Sequence, residues 1–214
     1  MNRLPVIVRQ HIAAFRALLV FTVICGFVYP LGVLGVSQVA FHKQANGSLV
    51  SYNGHVVGSS LLCQEFVDAK GNPLPQYFQP RPSAAIPSPA PKDDYGCDPT
   101  YSSASNLGPT NPTEVQLIQQ RQKAIAAFDH VSVSQIPADA VTASGSGLDP
   151  DISPANAAIQ VDRVAAARHL PVSEVRALVA ENTQGRTLGF LGEPTVNVLE
   201  LNIALDQLSA KSGG

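Results

Sequence analysis

The chain has 214 residues, 45% of them hydrophobic and only 14% charged, with a formal net charge of −2. All 16 acidic residues lie beyond residue 64, whereas 11 of the 14 basic ones lie from Lys43 onward, so the part behind the N-terminal segment carries about −5. That balance argues against nucleic acid or an anionic lipid surface as partner, and the hydrophobicity is too high for a disordered chain.

The first element is a charge-free run from Ala17 to Phe41. About 25 residues at ~1.5 Å rise make a helix of roughly 38 Å, longer than the ~30 Å hydrocarbon core, and predict a single transmembrane span over 17–41. Arg3, Arg9 and Arg16 precede it, and Lys43 is the only basic residue shortly after it. This asymmetry puts residues 1–16 in the cytoplasm and residues 42–214 outside. A cleaved signal peptide is the rival reading. The apolar run is too long for one, and the exit Ser37-Gln38-Val39-Ala40 has Gln38 where a small residue is wanted. Pro30, after Tyr29, removes a helical hydrogen bond and is expected to kink the span. Gly32 and Gly35 thin one side enough for another helix to approach. Tyr29, Pro30, Gly32 and Gly35 are therefore candidate packing residues, and Cys25 reads as a small residue within the span.

Behind the span, Ser48–Tyr52 and His55–Ser59 flank Asn53-Gly54, which predicts a β-hairpin. From about 70 to 111 the chain is rich in Pro, Ser and Asp and is expected to be irregular. Four helices follow. One begins at the N-cap Asn111, with Pro112 at N1 and Glu114 at N3 in a capping-box arrangement. It runs to about Phe128, with Val115, Ile118, Ile125 and Phe128 on one side. A second starts at Ser153-Pro154 and reaches about Arg168, with Ala157, Val161, Val164 and Ala165 at helical spacing. A third covers about 172–181 and buries Val175, Leu178 and Val179. The last begins after Asn197 and buries Val198, Leu201, Leu205 and Leu208. Asp139–Thr142 reads as a short strand. Cys63 and Cys97 both fall in the outer part, where oxidising conditions permit a disulfide; spacing does not decide whether they pair.

Most catalytic constellations are absent from the sequence. There is no phosphate-binding G-x-x-x-x-G-K-[ST] and no phosphorylation loop, and the five histidines are scattered without zinc-ligand spacing. Ser144 and Ser146 lack the flanking glycines of a nucleophile elbow. Asp149 and Asp151 do not complete a calcium loop, because Pro154 stands where that loop needs glycine. The stretch Val141–Pro154 is instead expected to be a tight turn. Its glycines would supply positive φ, its polar side chains would cap neighbouring backbone, and it leads into the Ser153 cap.

Several separated motifs follow one another in order: Tyr29-Pro30, Gln44–Leu49, Tyr77-Phe78 with Arg81-Pro82-Ser83, Ser105–Pro112, Val141–Pro154, Gln160 with Arg163-Val164-Ala165, and Gly192–Asp206. With these, nearly the whole chain resembles the C subunit family of the Kdp potassium-transporting ATPases. The resemblance implies an α+β extracytoplasmic domain anchored by a single N-terminal transmembrane helix. It also implies a non-catalytic accessory subunit of a high-affinity potassium uptake pump, needed for assembly. Its partners would be a potassium-channel-like subunit, a P-type ATPase subunit, a small fourth subunit and the lipid bilayer. Asn106, Asn111, Ser144, Gly145, Gly147, Asp149, Asn197 and Asn202 are the motif residues taken as structural or interface candidates.

The family has also been assigned a catalytic-chaperone role that raises the ATP affinity of the ATPase subunit through a signature-like segment. Here that segment is Leu170-Pro-Val-Ser-Glu174. It lacks the glycines and has Glu174 in place of glutamine, so its carboxylate repels nucleotide phosphates. No cofactor of its own is expected, and ATP enters only as a ligand shared with the ATPase subunit. Two further departures coincide. Cys63 stands where the family pattern has glycine, and Cys97 lies in Pro87–Asp98, which reads as an insertion. Together they suggest a disulfide pinning the extra loop. The alternative function is a membrane-anchored extracytoplasmic enzyme or ligand-binding domain independent of any pump.

Overall fold

The computed structural model describes residues 4–85 and 96–212. The chain forms two compact units that divide between Ser48 and Leu49.

The N-terminal unit is one long helix followed by a short one. Helix α1 (Val6–Val23) runs through a π-helical turn (Ile24–Val28) into α2 (Tyr29–Ala40), and α3 (His42–Ala45) follows. The π turn explains how Pro30 is accommodated. In a regular helix its ring would press on the carbonyl four residues back, that of Gly26, and the wider turn relieves that clash. The continuous segment Val6–Ala40 has 35 residues and a mean hydropathy of 2.3, long and apolar enough to cross a membrane. It begins well before Ala17, and Arg9 and Arg16, both good helix formers, lie within it.

The second unit opens with the expected hairpin, β1 (Leu49–Tyr52) paired antiparallel to β2 (His55–Ser59). Its turn residues Asn53 and Gly54 have φ of 49° and 81°, the left-handed pair that a tight hairpin requires. Among the described residues of the 60–111 stretch there is no helix or ladder strand, only an isolated bridge between Val67 and Pro73. Helix α4 (Pro112–Asp129) starts at Asn111, whose side chain accepts from the Thr113 N–H. Helix α6 (Pro154–Arg168) starts at Ser153, whose hydroxyl accepts from the Asn156 N–H. Helices α7 (Val172–Glu181) and α8 (Val198–Ser212) complete the set, with Asn197 capping the Glu200 N–H.

The core is the cluster of Ile152, Ala157, Val161, Val164, Val175, Val196, Val198, Leu201 and Leu205 with their neighbours, joined by Phe78 from the irregular segment. Helices α6, α7 and α8 thus bury the stripes that their spacing marks.

Three expectations are corrected and one feature is added. Residues 138–141 form a helical turn, α5 (Ala138–Val141), and not a strand. No partner strand lies there among the described residues, and the Thr142 hydroxyl donates to the Ala138 carbonyl across the turn. On α4, Ile118, Ile125 and Phe128 are half-buried, but Val115 is exposed, and the fully buried positions are Glu114 and Asp129, of which Asp129 pairs with Arg163. In the turn before Asp149 only Gly147 has positive φ, at 73°, and Gly145 adopts an ordinary conformation with open space around it. Finally, a three-stranded antiparallel sheet of order β3-β5-β4, from β3 (Asp151–Ile152), β4 (Thr183–Gln184) and β5 (Thr195–Asn197), was not expected. Strands of two or three residues are too short to show a period.

Cys63 and Cys97 are joined, with Cα atoms 5.5 Å apart and a sequence separation of 34. Most of the Pro87–Asp98 stretch lies outside the described residues. The Cys63 N–H donates to the Leu148 carbonyl, and the Cys97 N–H to the Ser83 hydroxyl. The bridge therefore ties the irregular segment to the turn before Asp149. Reducing it, or replacing both cysteines with serine, is expected to lower unfolding stability of the detergent-solubilised chain by about 3–4 kcal/mol for a loop of this size. The check is the shift in denaturant midpoint between oxidised and reduced protein.

Candidate functional site

The segment Pro75–Gln79 brings Phe78 into the core with no neighbouring strand among the described residues, yet all five of its carbonyls and the N–H groups of Phe78 and Gln79 are bonded. They are met by side chains. Asn202 on α8 accepts from the Phe78 N–H and donates to the Phe78 carbonyl, both at 2.9 Å. Gln160 on α6 does the same for Gln79, accepting at 2.7 Å and donating at 3.1 Å. Each primary amide thereby imitates one rung of a β-ladder. Arg163 donates to the carbonyls of Pro75 and Tyr77 at 2.6 and 2.9 Å, and Arg168 to that of Gln76 at 2.7 Å.

These clamps are themselves held. Arg163 Nε pairs with Asp129 Oδ1 at 2.6 Å, with both side chains only 4% exposed, and its guanidinium lies 4.3 Å from the Phe128 ring centroid. Burial pushes the Asp129 carboxyl above its ordinary range, opposed by the hydrogen bond and charge of Arg163; the same burial lowers the Arg163 guanidinium. Gln160 Nε2 also donates to Asn156, and Asn156 in turn to Asp139. Asp139 accepts from the N–H and the hydroxyl of Ser153, which fixes α5 against the start of α6. Arg168 reaches Asp206 at 2.7 Å and Ser209 at 3.1 Å on α8, and stacks over the Tyr77 ring.

A second knot lies at the turn. Ser144 Oγ accepts from the Gly147 N–H, and the Ser144 N–H donates to the Pro82 carbonyl. A Cβ built on Gly147 would come within 2.5 Å of the Ser103 carbonyl oxygen and 2.6 Å of Ala85 Cβ, so glycine is required there. Asp149 pairs with Arg81 at 2.9 Å and caps the Asp151 N–H. The structure thus brings Ser144, Gly147 and Asp149 together with the Cys63–Cys97 bridge. Asn197 lies by β3, donating to the Ser60 carbonyl and Asp151. Asn106 stands apart, in a left-handed turn of φ 54° where it donates to Ala104, and Asn111 only caps α4. Tyr29, Pro30, Gly32 and Gly35 are on the exposed surface of α2, and a Cβ built on either glycine meets nothing within 4 Å.

Between α4 and the Pro80–Pro82 segment lies a groove of about 590 Å³, whose wall includes Arg81, Arg121, Phe128, Gln160 and Ser83. Its one hydroxyl, on Ser83, donates to the Gly147 carbonyl and accepts from the N–H groups of Ala85 and Cys97. Arg121 donates to the Val141 carbonyl. Among the described residues no group of three or more metal-ligating side chains occurs. Ser83 and Arg121 in this wall thus hold backbone in place.

Asn156, Gln160, Arg163, Arg168, Asp129, Asp139 and Asp206 were not singled out as site residues from the sequence. A signal was present: Asn156, Gln160 and Arg163 on α6, and Asn202, Asp206 and Ser209 on α8, each recur at i, i+4 and i+7, marking one polar face per helix.

Comparison with known proteins agrees with the motifs. Residues 11–207 match the family model described as K+-transporting ATPase, c chain. The chain is similar to the potassium-transporting ATPase KdpC subunit of Beijerinckia indica, 50% identical over 198 residues that cover 92% of this chain and 93% of the relative. The same-named subunit of Sorangium cellulosum is 52% identical over 193 residues, 90% and 95% of the two chains. That of Mycobacterium tuberculosis is 47% identical over 201 residues, 94% and 99%. The chain belongs to the KdpC family of potassium-transporting ATPase subunits.

Replacing Asn202 with leucine keeps the volume but leaves the Phe78 N–H and carbonyl buried without partners. At ~1–3 kcal/mol for each orphaned group, a loss of about 2–5 kcal/mol is expected. Equilibrium unfolding checks it, and a change below about 0.5 kcal/mol would show that the clamp is dispensable.

Proposed function

We propose that this member of the family is a non-catalytic accessory subunit that stabilises assembly of an ATP-driven potassium uptake pump. The observation that carries the reading is the match of almost the entire chain, span and domain together, to subunits named for that ATPase. The polar groups of the domain support it, because those that cluster are engaged in holding its own backbone. In this reading the N-terminus is cytoplasmic, the domain is extracytoplasmic, and Tyr29, Pro30, Gly32 and Gly35 pack against helices of partner subunits. Those partners are a potassium-channel-like subunit, a P-type ATPase subunit and a small fourth subunit. The arginines ahead of the span and the open space beside Gly32 and Gly35 support the orientation and the packing.

Deleting the chain is expected to abolish growth at low potassium and potassium-dependent ATPase activity in membranes; intact activity would favour an independent anchored enzyme or binding domain. In the same cells a membrane-impermeant maleimide should label Lys123→Cys, exposed on α4, without permeabilisation. Labelling only after lysis would reverse the orientation.

The chain carries no nucleotide site of its own in this reading, and any effect on ATP affinity is exerted through the ATPase subunit. Glu174 supports this, since it sits exposed in the first turn of α7, where an anion-binding segment would need to receive phosphate. Titrating the purified full-length chain with ATP to millimolar concentration should give no saturable change in intrinsic tyrosine fluorescence or thermal midpoint. A saturable response that Glu174→Gln strengthens would overturn the claim.

A further inference from the structure

The connection between β4 and β5 folds back on itself at its tip. Thr187 and Leu191 exchange two backbone hydrogen bonds, each 2.9 Å. Leu188 and Gly189 between them have φ of 56° and 80°, and Gly189 N–H also donates to the Arg186 carbonyl. A leucine held in the left-handed region is unusual, and the conformation directs its side chain outward. Below the tip, Arg186 and Glu193 close the base of the loop with a 2.6 Å ion pair. The loop is therefore built and clamped, and what it displays is apolar. Leu188 is 79% exposed, Phe190 68% and Leu191 50%; the first two are the most exposed large hydrophobic side chains described in the second unit.

We propose that this tip is an anchor that inserts Leu188 and Phe190 into an apolar recess on a partner subunit of the potassium-transporting ATPase. The inference rests on the subunit reading above. Charge selects a protein over the bilayer as occupant. Arg186 and Glu193 are the only charged residues from 185 to 194 and they neutralise each other, while residues from 43 onward carry about −5. A lipid-docking loop draws on basic residues and interfacial Trp or Tyr, and this one has neither to spare. An apolar cluster without unpaired charge and with a phenylalanine at its centre instead matches the core of a protein interface, where charge is depleted and aromatic residues are enriched, and a preset backbone conformation lowers the entropy cost of ordering on binding.

The test uses the tagged full-length chain expressed with the pump's other subunits. A photoreactive benzoylphenylalanine placed at Phe190 in intact membranes should form an adduct identified by mass as a pump subunit, whereas the same probe at Val133, exposed elsewhere on the domain, should not. The L188S/F190S variant should retain at least tenfold less of the partner subunits after detergent solubilisation, with its thermal midpoint unchanged. Adducts to lipid, to a second copy of this chain or to nothing, or retention equal to wild type, would overturn the proposal. If wild type itself retains no pump subunit, the subunit reading fails instead, so the two failures are told apart.

Discussion

The backbone of Pro75–Gln79 must bring Phe78 into the core with its peptide groups satisfied, and among the described residues no strand lies beside it to do so. A buried amide or carbonyl without a partner costs about 1–3 kcal/mol, so leaving both peptide groups of the buried Phe78 bare would cost about 2–6 kcal/mol, a large share of the stability of a typical domain. Asn202 and Gln160 remove that cost by presenting amides with the donor-acceptor geometry of a peptide, and Arg163 and Arg168 take the remaining carbonyls. Phe78 can then be fully buried in the core although it belongs to no regular element. The helices α6 and α8 are therefore fixed to each other through the segment they both grip.

This arrangement explains the buried Arg163–Asp129 pair. An isolated ion pair of this kind gains little, because desolvation of both charges offsets their attraction. Arg163 is needed at that depth for the two carbonyls it binds, and Asp129 supplies the counter-charge that lets a guanidinium remain there. The clamp also accounts for the burial of Asp129 at the end of α4. On the far side of the irregular segment, the Cys63–Cys97 bridge and the close approach at Gly147 fix Ser83 and Ala85 against the turn before Asp149. Helical amides therefore hold one end of the segment, and a covalent link holds the other.

Much of this was legible in the sequence, and the parts that were not share a cause. The caps at Asn111, Ser153 and Asn197, the Asn53-Gly54 hairpin and the stripes Val161–Val164 and Leu201–Leu205 are local signals, set by neighbours one turn away. The helices accordingly lie where the spacing puts them. What escaped is long-range: Asn202 meets Phe78 across 124 positions and Arg163 meets Pro75 across 88, and nothing near either residue announces the other. The three short strands escaped for the same reason, since β3, β4 and β5 exist only as one another's partners. Asp139 shows the opposite error. Its neighbours Val141 and Thr142 favour a strand locally, but its carboxylate is required by Ser153 and Asn156, and the chain coils to deliver it.

With charged residues so sparse, where they sit is informative. Three of the four ion pairs among the described residues, those of Arg81, Arg163 and Arg168, organise the irregular segment and its clamps. Only Arg186–Glu193 lies well exposed, and it closes the base of a loop whose tip is apolar. Other charged side chains of the second unit, among them Lys70, Lys123, Asp162, Glu174, Arg176 and Glu181, are exposed. On α2, small residues leave open space beside the helix. Charge is thus drawn inward where backbone must be held, as at Arg163, and stays exposed elsewhere, which leaves Leu188 and Phe190 as the most exposed large hydrophobic pair described in the second unit.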